Sequence, residues 1–170
     1  MKIFKRKTFF LFLCILFLQM PDLASATSGQ EDDGWEIYAN ARFQYQICYP
    51  SRLLKPQGEP DNGDGQQFLA SDGGVLTVFG QYNALNASFD EIAEQEGEYA
   101  KGEKGNITYK VLRKNWAVFS GYDGSSNEFY KKIIQQGDRF FVFEIKYPAS
   151  KKEKYSAIIV RLVKCFFGDS

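Results

Sequence analysis

The sequence predicts an α+β domain in which a central antiparallel β-sheet of roughly six to eight strands is flanked by two helices. Short segments rich in aromatic and β-branched residues recur along most of the chain, and the short turns between them leave room only for hairpins. Two other segments change to helical spacing, each behind a capping box. If the two helices cover opposite faces of the sheet, the domain is an α/β/α sandwich.

The N-terminal segment is typical of an export signal. Four basic residues in the first seven precede an apolar run from Phe9 to Leu18, and Ala24-Ser25-Ala26 matches a signal-peptidase site. The run has about ten apolar residues, whereas a membrane-spanning helix needs about 20. We therefore expect a cleaved signal peptide over residues 1–26, with an uncleaved anchor as the alternative, and a protein that is periplasmic or secreted.

The rest of the chain predicts one domain with little attraction for nucleic acid. Small, polar and acidic residues predict a flexible leader over residues 27–34, and the domain follows over residues 35–167. The full chain has 21 basic and 21 acidic residues, and cleavage after Ala26 removes four basic residues and one acidic residue. A mildly acidic domain without a basic stripe predicts no nucleic-acid partner, and after cleavage we expect no membrane contact.

The first half of the domain predicts a strand, a long loop and a hairpin. From Phe43 to Tyr49, apolar side chains alternate with Gln and Cys, as in a half-buried strand that Pro50 ends. The run from Lys55 to Gln66 has two prolines, three glycines and no apolar side chain, which predicts an exposed loop. Segments 67–70 and 75–82 then predict a hairpin around two glycines.

The second half predicts two helices with a meander between them. Ser88 and Glu91 form a capping box ahead of a helix from Phe89 to about Lys101. After Pro148, Ser150 and Glu153 predict a second capping box and a final helix that buries one stripe on the sheet. The meander consists of four segments separated by short turns: 107–113, 116–122, 128–135 and 139–147.

The two cysteines of the mature chain are Cys48 and Cys165. In an oxidising compartment they predict one disulfide between the opening strand and the last helix. In the chain-entropy model such a long loop is worth about 4 to 5 kcal/mol. The alternative is that Cys48 packs as a small buried hydrophobic residue and Cys165 is a free thiol.

The residue types present exclude most catalytic systems. The chain has no histidine, which excludes Ser-His-Asp and Cys-His nucleophile systems and HExxH metalloproteases. Glu144 lies in an apolar segment, but strand alternation favours a helix-edge or cross-strand partner of a lysine over a general acid. We therefore predict no catalytic residue and no enzyme activity. The alternative is a carboxylate-based hydrolase acting on cell-wall or polysaccharide material, with two carboxylates about 5 to 10 Å apart in a cleft.

The polar loop is the predicted working surface. The oxygen-rich residues of its Asp61–Gly65 segment suggest a calcium site, but an EF-hand register would begin at Pro60, which has no side-chain ligand. The glycines of the segment do not match the pattern of a nucleotide-binding loop. We expect no metal and no cofactor. Long loops on a rigid scaffold commonly carry recognition, so we predict a binding loop made of Gly58, Glu59, Asp61, Asn62, Asp64 and Gln66.

An aromatic platform is a second way in which the domain could bind a ligand. In a sheet protein, aromatic residues more often pack in the core, so we expect this arrangement less than the loop. The residues that could form the platform are Trp35, Tyr38, Trp116, Tyr122 and Tyr130.

Several short motifs resemble a known structural group. The sequence is similar to the PsbP-like α/β/α sandwich group. The similar features are a strand that ends in Ile47-Cys48-Tyr49-Pro50, a mid-chain helix, and a meander that ends in Ile145-Lys146-Tyr147-Pro148 before a last helix. That group includes the extrinsic photosystem protein, a Ran-binding protein and the DcrB-type periplasmic proteins. The segment from Asn40 to Gln66 also resembles uncharacterised secreted proteins of Gram-negative bacteria. The resemblance covers residues 35–166.

The resemblance implies a non-enzymatic adaptor that binds other proteins or assists their assembly. We therefore expect an exported accessory module that engages a protein partner in the periplasm or outside the cell. A secreted enzyme inhibitor or immunity protein is a further alternative, which differs only in the identity of the partner.

Overall fold

The computed structural model describes residues 33–168 of the chain. The predicted signal peptide and residues 27–32 of the predicted leader lie outside the described residues. The elements in chain order are β1 (Trp35–Asn40), β2 (Tyr45–Pro50), β3 (Lys55–Pro56), β4 (Gly65–Leu69), β5 (Val75–Tyr82), α1 (Phe89–Lys101), β6 (Asn106–Leu112), β7 (Trp116–Tyr122), β8 (Asn127–Gln136), β9 (Arg139–Pro148), α2 (Lys152–Cys165) and β10 (Phe167–Gly168).

The strands form two antiparallel sheets. The larger sheet has seven strands in the order β3-β4-β5-β9-β8-β7-β6, and the smaller has three in the order β1-β2-β10. The predicted α+β class is confirmed, but the prediction of one central sheet is wrong, because β2 pairs with β1 and β10 and not with the large sheet. The buried side chains of β2 pack onto a face of the large sheet instead of extending its edge.

The alternation of β9 divides the core into two layers, as strand geometry requires. Phe140 and Val142 point to one face, where they belong to the same apolar cluster as Phe89 and Ile92 of α1. The opposite face of β9 carries Phe141, Phe143 and Ile145, which pack with the small sheet and with Tyr155 and Leu162 of α2. The sandwich description therefore fits in part: α1 covers one face, whereas α2 shares the other with the small sheet.

The two helices begin differently. For α1 the predicted capping box is confirmed, since Ser88 Oγ accepts from the Glu91 amide at 3.3 Å and Glu91 Oε2 accepts from the Ser88 amide at 2.9 Å. The second predicted capping box is wrong. A 3-10 turn over Ala149–Lys151 precedes α2, and the helix begins without a side-chain cap. Ser150 lies inside that turn and lacks the extended backbone that an N-cap residue needs.

The helix α2 leaves part of its face of the large sheet open. It packs mainly against β2, β8 and β9. On the uncovered strands β6 and β7, Tyr109 is 55% exposed, Trp116 36% and Tyr122 38%. This end of the sheet therefore offers large apolar side chains to solvent.

The described part of the predicted leader is held against the domain. The Gly34 carbonyl accepts from the Ser51 amide at 2.9 Å, and Asp33 pairs with Arg161 of α2 at 2.5 Å. Within residues 33–168, no helix has the length and apolar character needed to cross a membrane.

Candidate functional site

The predicted binding loop lies mostly between β3 and β4, at one edge of the large sheet. The prediction of a loop from Lys55 to Gln66 is wrong at both ends, because Lys55 and Pro56 form β3 and Gln66 pairs with Val78 as part of β4. Gly58, Glu59, Asp61 and Asn62 are exposed, whereas Asp64 and Gln66 are partly buried where the loop meets β4. The two ends of the loop are joined, because Gln66 Oε1 accepts from the Gly58 amide at 3.1 Å. The six predicted residues thus lie in one continuous segment of the surface.

A buried asparagine of the small sheet fixes the loop. Asn40 is 2% exposed, and its Nδ2 donates to the Gly63 carbonyl at 2.9 Å and to Tyr38 Oη at 3.1 Å. Tyr38 Oη in turn donates to Glu59 Oε1 at 2.6 Å. Asn40 Oδ1 accepts from the Phe43 amide at 2.9 Å, which fixes the orientation of the amide group. Two points of the loop are therefore tied to β1.

A third tie holds the exit of the loop. The Asp64 carbonyl accepts from Tyr45 Oη at 3.0 Å and from the Gly80 amide at 2.8 Å. At Gly65 a Cβ would lie 1.9 Å from the Val78 carbonyl oxygen, so only glycine allows the chain to pass this close to β5. The loop is exposed but its backbone position is determined by the core beneath it.

The tyrosines that bind the loop keep their protons. Burial, with the hydrogen bond to Glu59, raises the pKa of Tyr38 to about 12. Burial also raises the pKa of Tyr45 far above its ordinary range. Both hydroxyls therefore act as neutral donors to the loop over the physiological range of pH.

The surface around the loop is acidic. The loop carries Glu59, Asp61 and Asp64, and the chain has no lysine or arginine between Lys55 and Lys101. Arg42 and Lys55 are cations beside the loop, and the Arg42 guanidinium donates to the Asn62 carbonyl. A cavity of about 560 Å³ lies between the loop and β4 and β5, with Glu59 and Asp64 among its lining residues. The arrangement suits contact with a basic surface.

The structure contains the predicted disulfide. Cys48 in the middle of β2 is bonded to Cys165, the last residue of α2, and the two residues are 117 positions apart in the sequence. The bond joins the small sheet to the end of the helix that covers it. It lies beside a surface lined by Trp35 and Arg161, whose guanidinium stacks 4.3 Å from the Trp35 ring centre.

The buried carboxylates form an ion-pair network. Lys131 of β8, which is 4% exposed, contacts Glu96 of α1 at 2.7 Å and Glu144 of β9 at 2.9 Å. Glu144 also contacts Lys146 at 3.2 Å. The prediction that Glu144 pairs with a lysine across the strands is confirmed. Lys131 lies between the two carboxylates and pairs with both, so its contact with Glu96 ties α1 to the sheet.

The five residues of the predicted aromatic platform do not form one surface. Tyr38 is buried under the loop and Trp35 lies beside the disulfide. Trp116 and Tyr130 line one groove on the α2 face, and Tyr122 lies in the adjoining cavity, which Tyr130 also lines. Among residues 33–168, no group of three or more Asp, Glu, Cys or His side chains is placed to hold a metal ion.

Solved structures share this architecture. The solution structure of cyanobacterial PsbP (CyanoP) from Synechocystis sp. PCC 6803 superposes with a TM-score of 0.62 at 9% identity, over 83% of this chain and 96% of that one. The chain has a PsbP-like fold. The Ran-binding protein Mog1p of Saccharomyces cerevisiae superposes on this PsbP-like domain with a TM-score of 0.58 at 11% identity, over 79% and 95% of the two chains.

A point variant of Mog1 gives a TM-score of 0.55 at 10% identity, over 79% of this chain and 95% of that one. No protein-family model matches the sequence, and neither does any curated protein. At these identities the likeness concerns the fold, and the function must be argued from the surfaces of the PsbP-like domain itself.

Two features of the site were absent from the predictions. Asn40 is the residue that ties the loop to the small sheet, and its only sequence signal is a polar residue at the end of a strand, which equally indicates a turn. The groove on the α2 face was missed because it depends on which strands α2 covers. Neither feature follows from local patterns.

Proposed function

We propose that this chain is an exported, non-enzymatic accessory module that engages a protein partner through the loop of residues 58–66. In this account residues 1–26 direct export, and residues 35–167 act as one domain in the periplasm or outside the cell. The observation that carries the proposal is that the loop is exposed while Asn40, Tyr38 and Tyr45 hold its backbone in place. A loop held in this way loses little conformational entropy on binding.

The charge of the loop indicates the chemistry of the partner. Its three carboxylates, in a segment of the chain without basic residues, favour a partner with a basic surface. The yeast protein Mog1p, which shares the fold, is a Ran-binding protein, so a domain of this architecture can serve as a protein-binding module. This supports the proposed class of function without assigning the same partner or the same surface.

Two further observations support the proposal. The disulfide between Cys48 and Cys165 agrees with residence in an oxidising compartment. The absence of histidine and the pairing of Glu96 and Glu144 with Lys131 leave little support for the alternative of a carboxylate-based hydrolase.

The experiment that tests the proposal is capture of the partner by cross-linking in the exported fraction, followed by affinity measurement with the purified partner. We compare the native protein with Asp61→Lys, which reverses an exposed charge of the loop without removing any of the bonds described above. Glu103→Lys, an identical charge change at an exposed position after α1, is the matched control. Because β3 and β6 are opposite edges of the sheet, the control lies away from the loop.

We expect Asp61→Lys to weaken binding of the partner about tenfold or more and to leave the melting temperature unchanged. Binding should also weaken as salt concentration rises. Equal affinities of the two variants for the partner would contradict the assignment of the loop. Hydrolysis of cell-wall or polysaccharide material by the native protein would contradict the non-enzymatic account.

A further inference from the structure

A groove on the α2 face of the large sheet is separate from the loop. It encloses about 420 Å³ between β6, β7, β8 and the end of α2. Its aliphatic lining is Val111, Val118, Ile134 and Val163, and the rings of Tyr109 and Trp116 border it. This volume lies within the range of about 300 to 1,000 Å³ in which proteins bind small ligands.

The strand register explains the shape of the groove. Val111 lies opposite Val118, which lies opposite Lys132, so one row across three strands forms the floor. Trp116 lies opposite Ile134 in the next row. Because α2 packs on β8 and β9 and its Val163 lines the groove, the helix forms one wall and the floor over β6 and β7 stays open.

One cation lies within this apolar lining. Lys132 is partly buried, and its Nζ donates to the Val163 carbonyl at 3.2 Å. Burial lowers the pKa of Lys132, which reflects the cost of holding an ammonium group there. Among residues 33–168, no acidic side chain lines the groove. Arg113, whose guanidinium lies 5.9 Å from the Trp116 ring centre, adds a second positive charge near the rim.

Lys131, the neighbouring lysine on the same strand, has different partners from Lys132. Lys131 points to the opposite face of β8, where two carboxylates contact its ammonium group. For Lys132 the described residues provide a carbonyl and no carboxylate within ion-pair distance. A lysine ammonium has three donors, and the Val163 carbonyl accepts from one of them. The groove therefore combines an apolar lining with a cation that is not paired with a carboxylate of residues 33–168.

We propose that this groove binds a small apolar carboxylate, with the carboxylate at Lys132 Nζ and the hydrocarbon part along Val118, Ile134 and Trp116. A medium-chain fatty acid is the simplest molecule of this class. Tyr130 also lines the groove, and since burial raises its pKa to about 12, its hydroxyl is a neutral donor. The inference does not depend on the proposed function of the loop, which lies at the other edge of the sheet.

The test is calorimetric titration of the mature protein with dodecanoate below its micelle threshold. Dodecanol, which lacks the charge, and dodecyl phosphate, which carries a different anionic head, are the comparison ligands. Lys132→Met removes the ammonium group and retains an apolar side chain of similar length. Lys104→Met, the same change at an exposed residue after α1, is the matched control.

We expect saturable binding of one dodecanoate, weakened tenfold or more by Lys132→Met and unchanged by Lys104→Met. Dodecanol should bind both variants and the native protein with equal, weaker affinity. Absence of saturable binding would overturn the proposal, and so would equal affinity of the native protein and Lys132→Met for dodecanoate. Tighter binding of dodecyl phosphate than of dodecanoate would overturn the assignment of a carboxylate.

If the Lys132→Met variant did not fold, its titration would not report on the groove. A second readout therefore uses the native protein. In two-dimensional NMR spectra, dodecanoate should shift the indole N–H of Trp116, which lines the groove, and leave that of Trp35 in place. Shifts of equal size at both indoles would overturn the location of the site.

Discussion

Among single residues, Asn40 has the largest influence on the loop. It is 2% exposed, and its amide group contacts Gly63, Tyr38 and the Phe43 amide. We predict that Asn40→Ala lowers the free energy of unfolding by about 1 to 3 kcal/mol, because buried partners lose their hydrogen bonds. The same change should speed amide hydrogen exchange at Gly63 and Asp64. Chemical denaturation and hydrogen exchange measure the two effects.

The matched control is Asn106→Ala, at an exposed asparagine of β6, the strand at the opposite edge of the sheet. It should leave the free energy of unfolding within about 0.5 kcal/mol of the native value. If Asn40→Ala left exchange of the loop amides at the native rate, Asn40 would not be the residue that holds the loop.

Asp72 is a second residue whose contacts give a measurable signature. It lies in the turn between β4 and β5, where its carboxylate accepts from Tyr155 Oη at 2.6 Å and from Lys154 Nζ at 2.7 Å. Although burial opposes the effect, these hydrogen bonds lower the pKa of Asp72 from 3.8 to about 2. The ionised form is therefore favoured in the folded protein.

The pH dependence of stability follows from this shift. A group with a lowered pKa in the folded state stabilises the protein above its unfolded pKa, and that contribution disappears as the pH falls through the folded pKa. We predict that Asp72→Asn lowers the free energy of unfolding by about 1 to 2 kcal/mol at pH 7. The difference from the native protein should shrink between pH 4 and pH 2. Urea denaturation over this range measures it, and a constant difference would contradict the account.

Gly74, in the same turn, was predicted only as a hairpin glycine. A Cβ at this position would lie 1.9 Å from Tyr155 Oη, so the residue allows α2 to approach the turn. The sequence indicates the turn through its glycines, but it does not indicate that a helix about 80 residues later packs on it.

Among the elements, β2 and α2 are coupled by the disulfide. We predict that reduction lowers the free energy of unfolding by about 4 to 5 kcal/mol, since the bond joins residues 117 positions apart in the sequence. Denaturation with and without reductant measures the change. A Cys48→Ala, Cys165→Ala double variant should be insensitive to reductant. If a thiol titration of the unmutated protein, unfolded without reductant, found Cys48 and Cys165 both free, it would contradict the pairing.

Most of the elements could be predicted from the sequence. The ranges predicted for α1, for the hairpin and for the meander agree with the structure to within about two residues, because alternation and capping are local signals. The separation of β1, β2 and β10 from the large sheet was not predictable from the alternation of apolar and polar residues. That alternation shows which face of a strand is buried, but not which strand it pairs with. The second capping box failed because the turn after Pro148 is 3-10, and Ser-x-x-Glu does not distinguish the two conformations.

In the whole molecule, the position of the loop could be predicted and its rigidity could not. Proline, glycine and charge indicate an exposed segment between Lys55 and Gln66. The hydrogen bonds that hold it come from residues about 20 positions earlier in the chain, on a sheet that the sequence does not reveal. The groove likewise depends on tertiary packing that the sequence does not reveal. It forms because α2 covers β8 and β9 and leaves β6 and β7 open.

The fold places the two surfaces at opposite edges of one sheet. The loop adjoins β3 and β4, whereas the groove lies over β6, β7 and β8. Variants at one surface should therefore leave the other unchanged, since sites this far apart with no shared partners behave additively. Two measurements check this independence. Asp61→Lys should bind dodecanoate as the native protein does, and Lys132→Met should bind the protein partner as the native protein does.

The central claim is that a protein partner contacts the loop, and site-specific photo-cross-linking tests it most directly. A photoreactive amino acid replaces Asp61 in one version of the protein and Glu103 in another. We predict an ultraviolet-dependent adduct of one discrete mass from position 61, diminished at high salt, and none from position 103. Adducts of equal yield from both positions, or an adduct from position 103 alone, would contradict the claim.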